Sequence, residues 1–300
     1  MPNHALTPLK DNILAATFMM ASMAAFTLND TLMKMMAGSV PLYQLLFLRG
    51  VMTTSVVSVI AWRIGAIPIR VAPHDAMLLL LRSLADTATA FFFLTALFNM
   101  PLAYGSASMQ ALPLTITLMA WAVLGEAVGW RRFTAIAVGL LGVMLIIRPG
   151  TSDFTIYSLY GVAAVACVTA RDLITRKMSR NVPTILIVLT IYAAVKVVFG
   201  YMNCQADRHP MSVQAWGLTT GAAVFIIGAY LFSILVMRIG DISFVAPFRY
   251  TGLIWALVLG YLVFGDWPDA ITLFGAVIVV GSGLFMLYRE TQLARGVRKQ

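Results

Sequence analysis

Apolar residues run through nearly all of this chain without the two-residue alternation of a half-buried strand. They also lack the broad polar face of a soluble amphipathic helix. The runs are about twenty residues long and are broken by short polar or Gly/Pro-bearing stretches, which predicts helices near 13–36, 41–62, 75–98, 101–124, 132–148, 154–177, 183–203, 213–237, 242–264 and 268–288. A bilayer core about 30 Å thick needs about 20 apolar residues per helix, so each run predicts one membrane crossing. The expected fold is an all-α integral membrane protein of ten transmembrane helices joined by loops of a few residues. No segment is left for a soluble catalytic domain. The polar tail from Met1 to Asn12 leads into a first span too long for a signal-peptide core and without a clear cleavage site, so it is expected to be retained.

Polar positions inside these runs recur. At a constant shift of 142, Thr27, Asp30, Met36 and Val40-Pro41 meet Thr169, Asp172, Met178 and Val182-Pro183. Lys34 meets Arg176, so an acid followed four residues later by a base occurs in both places. At a shift of 140, residues 102–126 lie along 242–266 without a gap; after a two-residue slip, Val138-Gly139 and Met144-Leu145 match Val280-Gly281 and Met286-Leu287. The pattern predicts two five-helix halves, residues 1–150 and 151–300. Five is odd, so the second half enters the membrane from the opposite side. Such inverted repeats build two gates about an axis in the membrane plane and place substrate near the midplane.

Composition sharpens this picture. Sixty per cent of residues are hydrophobic, 11% are charged and mean hydropathy is +0.88, whereas about a quarter of the residues of a soluble domain are charged. A net charge of +9 raises the question of nucleic acid, but its distribution answers it. With the N-terminus cytoplasmic, thirteen Lys and Arg fall in inside loops and tails, against Lys34, Arg148 and Arg208 outside. That bias predicts two cytoplasmic termini and makes the basic balance a matter of topology, with no nucleic-acid partner expected. Cys167 and Cys204 have neither metal-site spacing nor the density of a disulfide framework.

Eight ionisable groups fall inside the predicted spans: Asp30, Arg49, Arg82, Asp86, Arg171, Asp172, Lys196 and Arg249. A charge in hydrocarbon costs at least about 2.5–3.5 kcal/mol, which marks each as a candidate functional residue. Five bases against three acids suit a substrate carrying a carboxylate better than a cationic one. Arg82 and Asp86, four apart, either neutralise each other or face substrate; the pairs Asp30–Lys34 and Asp172–Arg176 carry the same two readings and are candidate gating or coupling elements. Lys196 lies near a span end and is expected to snorkel. Arg49 and Arg249 lie deeper and are expected in the cavity, Arg249 with Phe248, Tyr250 and Trp255 forming an aromatic pocket. The fourth span adds Tyr104 and Gln110 as binding candidates. Pro113 and Pro247 predict either hinges or static kinks. Other aromatics, Tyr230 among them, are expected against lipid or neighbouring helices, and Trp62, Trp130 and Trp267 at the interfaces. Gly217 and Gly221 read as a packing pair.

The stretch Pro101-Leu-Ala-Tyr-Gly-Ser-Ala107, with Pro113 and the helix end Leu124-Gly125-Glu126, resembles the drug/metabolite transporter superfamily, and within it the ten-helix EamA-type members. Over residues 10–290 the chain is similar to the bacterial amino-acid exporters of that group. The second half departs from the pattern: Gly265-Asp266 stands for the usual Gly-Glu, and no proline matches Pro113. The resemblance implies a secondary transporter in the bacterial cytoplasmic (inner) membrane, exporting amino acids with aromatic or hydrophobic side chains by alternating access. It implies no cofactor, and two covalently joined halves make a monomer sufficient. Proton coupling through Asp30, Asp86 or Asp172 and simple facilitated diffusion are both allowed. The alternative substrates are phosphorylated or nucleotide-linked sugars. An intramembrane enzyme fits less well: His4, His74 and His209 lie in loops or tails and no Gly-x-Ser-x-Gly occurs, which leaves only an aspartyl pair.

Overall fold

The computed structural model describes residues 9–63, 71–125, 128–149, 154–179, 182–205, 209–239 and 242–297. Glu126, Arg70, Arg180, Arg208, Arg298 and Lys299 lie outside the described residues. Among those described, the structure is all-α and contains ten segments long and apolar enough to cross a membrane. Its helices are α1 (Leu9–Lys34), α2 (Leu42–Arg63), α3 (Pro73–Asn99), α4 (Leu102–Met109), α5 (Leu112–Leu124), α6 (Trp130–Ile147), α7 (Ile156–Lys177), α8 (Thr184–Gln205), α9 (Val213–Ile239), α10 (Ile242–Val245), α11 (Thr251–Phe264) and α12 (Ala270–Val297). A 3₁₀ turn, Ala246–Tyr250, joins α10 to α11.

Two of the ten spans are broken. The fourth is α4 and α5, interrupted at Gln110-Ala111, with Pro113 in the first turn of α5. The ninth opens through α10 and the 3₁₀ turn, which carries Pro247 in its first turn. A proline has no N–H to donate to the preceding turn, so each break falls where that donor is missing and a new helix begins. Both broken spans then end on a left-handed glycine, Gly125 (φ 68°) and Gly265 (φ 69°), a conformation that a Cβ would penalise.

The main helix contacts run between α1 and α9, α3 and α7, α2 and α8, and α6 and α12. Alternation of short connections puts the Lys34 end of α1 with the start of α2, the end of α3 and the end of α8. The largest apolar core lies at this end: Met33, Met36, Leu45, Leu97, Leu102 and Phe199 are fully buried there. At the opposite end the backbone N–H of Ser179 donates to Asp75 Oδ1 at 3.1 Å, and the buried apolar clusters are smaller. The bundle is therefore plugged at the Lys34 end. Trp62, Trp130 and Trp267 are 73%, 72% and 61% exposed at span ends, as interfacial anchors are.

The closest backbone approach is between α6 and α12. A Cβ at Gly142 would stand 2.9 Å from the Gly275 carbonyl oxygen, and one at Gly275 would stand 2.8 Å from that of Gly142. This pair, rather than Gly217 and Gly221, sets a helix spacing: at Gly217 the space is open, and Gly221 meets only Leu32. The same helices are tied at one end by an ion pair between Arg148 and Asp269, while Asp269 Oδ1 caps α12 by accepting from the Thr272 N–H at 3.0 Å. The Arg148 guanidinium and the Thr272 contacts hold the Asp269 carboxyl below the usual carboxylate range.

Gly142→Val forces α6 from α12 and should cost about 1–3 kcal/mol by overpacking, seen as a lower unfolding temperature of the purified protein in detergent. Asp269 favours its charged form when folded, so its stabilisation is present above the ordinary Asp range and is lost as pH falls through the depressed value. Asp269→Asn should therefore melt below the parent protein at neutral pH, by less than about 1 kcal/mol for so exposed a pair, and the gap should close in strong acid.

Candidate functional site

Polar side chains from several helices meet in the middle of the bundle. On α1, Phe26, Asn29 and Asp30 share one face, since residues three and four apart are neighbours on a helix. The Asn29 amide donates to Asp30 Oδ1 at 2.9 Å, and its own oxygen accepts from Arg49 Nη1 of α2 at 3.0 Å. Asn29 and Arg49 are both buried. Asp30 lies four residues, about 6 Å, before the end of α1 and one turn below Met33 and Met36 of the apolar plug.

A second cluster joins α3 to α7. Asp86 accepts from Arg82 Nη1 at 3.2 Å and from Arg171 Nη1 at 3.0 Å. Arg171 Nε donates to Asp172 Oδ1 at 2.9 Å, and Arg82 Nε donates to Thr175 Oγ1 at 2.7 Å. The Arg171 guanidinium stands between the two carboxylates, so Asp86 and Asp172 are not arranged to share a proton as an aspartyl pair does. Two bases and two acids leave this cluster neutral. A hydroxyl contact of 2.8 Å between Thr115 and Thr169 fastens α5 to the same helix.

Tyr230 of α9 connects the clusters. Its ring packs edge-on to Phe26 at 5.4 Å and to Tyr192 of α8 at 6.0 Å, and it lies within electrostatic reach of Asp86, Arg171, Arg82 and Arg49. Tyr192 is buried with its hydroxyl unpartnered. Tyr230 thus packs on neighbouring helices, as most aromatics of these runs are expected to, and it also faces the buried charges, for which an aromatic in an apolar run gives no sign in sequence. Asn29 was also missed, although the shift of 142 places it opposite Arg171 and offered a signal.

Arg249 sits on the 3₁₀ turn, in electrostatic reach of Arg171, Asp172 and Tyr250, yet it is exposed. A residue inside a spanning segment with those neighbours opens to an internal cavity. Among the described residues it makes no hydrogen bond or ion pair. Phe248, half-buried beside it, packs on Phe244 with centroids 6.0 Å apart. Gln110, at the other broken span, lies against Gly252, its Nε2 3.6 Å from where a Cβ there would be.

Other candidates fall elsewhere. Tyr104 is half-buried against the α6–α12 core. Trp255 is 39% exposed on a stripe with Val258, away from buried Gly252, Ala256 and Gly260; the structure does not bring it into the Arg249 pocket. Lys34 forms no pair with Asp30. Its ammonium donates to the carbonyl of Leu97 at 3.0 Å and to that of Met100, and lies 5.3 Å from the Phe264 ring centroid. The last carbonyls of α3 have no helical partner, and a cation satisfies them better than a carboxylate one turn away. Asp172 is paired with its neighbour Arg171, while Arg176 is exposed in the last turn of α7.

The profile of the EamA-like transporter family matches residues 13–148. The S-adenosylmethionine uptake transporter of Rickettsia prowazekii is 27% identical over 188 residues, 60% of this chain and 61% of that protein's length. The riboflavin transporter of Vibrio cholerae is 30% identical over 203 residues, 67% of each chain. The pseudopaline exporter of Pseudomonas aeruginosa is 22% identical over 272 residues, 90% of this chain and 95% of the exporter. A solved crystal structure with 17% sequence identity superposes with a TM-score of 0.64 over 91% of this chain and 97% of the other, which supports the same fold. The relatives named are transporters. The chain belongs to the EamA-like transporter family.

Proposed function

We propose that this protein carries small carboxylate-bearing metabolites, foremost amino acids with apolar or aromatic side chains, across a bacterial cytoplasmic membrane by alternating access. Export is the proposed direction. The observation that carries the substrate class is Arg249, a cation open to the cavity with no ion-pair partner among the described residues. Asp86 and Asp172 already neutralise Arg82 and Arg171, and Asp30 lies opposite Arg49 through Asn29, so an entering carboxylate finds one unanswered charge. Phe248 beside it and the Phe26–Tyr230–Tyr192 stack beyond give apolar and planar surface for a side chain. A phosphate dianion would call for paired cations at one point, which favours the carboxylate. S-adenosylmethionine, the substrate named for the Rickettsia relative, carries an α-amino acid end. The named relatives include an uptake transporter and an exporter, so direction rests on the resemblance to amino-acid exporters.

Alternating access draws support from the way the two halves mirror each other. Under exchange of the halves the α1–α9 contact becomes α7–α3, and α2–α8 and α6–α12 map onto themselves. Asn29 donates to Asp30 as Arg171 donates to Asp172, at 2.9 Å in both cases. The breaks at Gln110 and Tyr250, and the left-handed Gly125 and Gly265, are each 140 residues apart. With both termini cytoplasmic, the plugged Lys34 end faces outward and the Arg249 cavity opens to the cytoplasm. One chain supplies both halves, so a monomer is sufficient.

Arg249→Ala should weaken uptake of labelled phenylalanine into proteoliposomes by at least about tenfold, the loss of about 1.5–3 kcal/mol for a hydrogen bond to a charged group, with Arg249→Lys retaining part of it. Unchanged uptake by correctly inserted Arg249→Ala protein would remove the assignment. Asp86→Ala leaves half-buried Arg82 without its carboxylate and Arg171 with Asp172 alone, and should cost up to about 3 kcal/mol of stability, measured as a lower unfolding temperature in detergent.

A further inference from the structure

Of the three carboxylates in the middle of the bundle, two are held by arginine. Asp86 accepts from Arg82 and Arg171, and Asp172 accepts from Arg171. Asp30 differs. Its only hydrogen-bond donor among the described residues is the neutral Asn29 amide, which engages Oδ1. Arg49 is aimed at the far side of that amide, at Asn29 Oδ1, rather than at the carboxylate. Asp30 Oδ2 has no partner among the described residues, and it is not among the sealed, unpartnered buried atoms. It therefore borders open space, and the half-buried side chain can exchange a proton with water entering the cavity.

We propose that Asp30 is a proton-binding site and that the proton is a second transported species, one for each substrate molecule. The bond that forms is O–H at Asp30 Oδ2, with the proton taken from water at one face and released to water at the other after the gates exchange. The surroundings favour this residue for the task. Arg49 on α2 is the cation that faces it. Lys34, on its own helix, is committed to the α3 carbonyls, with Asp266 beyond α11 in reach of that ammonium. From α9 comes Tyr230, against Phe26; from α3 come Arg82 and Asp86, paired with Arg171; from the 3₁₀ turn comes Arg249, near Arg171 and Asp172. Tyr104 is the titratable group of α4, Tyr261 that of α11, and α10 (Ile-Ser-Phe-Val) brings none. An added proton weakens the pull of the Asn29 amide on Asp30 and so alters how that amide holds Arg49. Met33 and Met36 of the plug follow on the next turn, which places the proton site directly beneath the closed gate. The equivalent position in the second half has Arg171 for Asn29, and Asp172 is ion-paired to that guanidinium at 2.9 Å.

The inference rests on the transport reading, but it can be tested without knowing the substrate. Infrared difference spectra of the reconstituted protein, stepped from alkaline to mildly acidic pH, should show a protonated-carboxyl C=O band in the parent protein. The band should be absent in Asp30→Asn and shifted, not lost, in Asp30→Glu. A band that persists unchanged in Asp30→Asn, or no band in the parent, overturns the proposal. With labelled phenylalanine as probe, a gradient of one pH unit should drive up to about tenfold accumulation in the parent, a ratio that Asp30→Asn reduces to about one. Parent protein that carries phenylalanine with no response to the gradient overturns coupling. Parent protein that carries no phenylalanine while the Asp30 band behaves as described removes the amino-acid reading and leaves the proton site standing.

Discussion

A charge placed in hydrocarbon must be met by another polar group, and the centre of this bundle is arranged around that requirement. Desolvation costs several kcal/mol per ion, offset only when geometry and additional hydrogen bonds are good. Asp86 satisfies two arginines at once, and Arg171 uses two faces of its guanidinium on two carboxylates. Arg82 sends its Nε–H to Thr175. These bonds run between α3 and α7, one of the principal helix contacts, so the packing of the bundle and its charge balance are the same set of contacts. Among the described residues Arg249 makes no ion pair and Asp30 accepts only from the neutral Asn29 amide, so both stand apart from this cluster.

The proposed repeat explains why they differ from their counterparts. Positions 29 and 171 both reach sideways to the aspartate that follows them. With Asn at 29 the link is neutral and passes to Arg49; with Arg at 171 the link is itself a cation and passes to Asp86. One substitution thus turns a structural ion bridge into a relay that leaves its carboxylate available. An exact duplication would have given either two locked acids or two free ones. Symmetry at the level of the helices, with asymmetry at one pair of side chains, would let the same scaffold supply both proposed gates while leaving the proposed proton site to a single half.

The ten spans were legible because bilayer thickness imposes a length that soluble folds do not share, and the boundaries fall near the predicted ones for most helices. The breaks in the fourth and ninth spans were legible as prolines but not as a discontinuity at Gln110-Ala111 or a 3₁₀ turn at Ala246–Tyr250, since proline alone does not say whether a helix bends or restarts. The buried charges were all visible in sequence; their partners were not. Spacing of four residues found Arg82–Asp86 and suggested Asp30–Lys34 on equal grounds, yet Lys34 turned to the carbonyls at the end of α3. That competitor is backbone from a helix more than sixty residues away and leaves no trace in local spacing. Trp255 was placed by proximity in sequence to Arg249, but the turn of the helix carries it to the exposed face. Tyr230 and Asn29 act through neighbours on other helices, which no single run of sequence displays.

The plug also has a consequence for how the two unanswered groups work together. In the conformation described, apolar residues seal the Lys34 end while Arg249 is exposed nearer the other end, so substrate and proton reach their sites through one opening. Asp30 lies deep beneath the plug and Arg249 nearer the mouth, with Tyr230 and the neutral Arg82–Asp86–Arg171–Asp172 cluster between them. A carboxylate arriving at Arg249 meets a cation already in the field of Arg171 and Asp172, and Arg171 is bonded to the Asp86 that Tyr230 faces. Any shift of α3 against α7 that changes this opening must break or re-form those bonds, because they join the two helices. Substrate charge, gate position and the surroundings of Asp30 are therefore connected through a short chain of side chains in which each link is an ion pair, an aromatic contact or a shared field. Coupling of that kind needs no large motion at the proton site: the same guanidinium that closes α3 on α7 also sets the potential in the cavity.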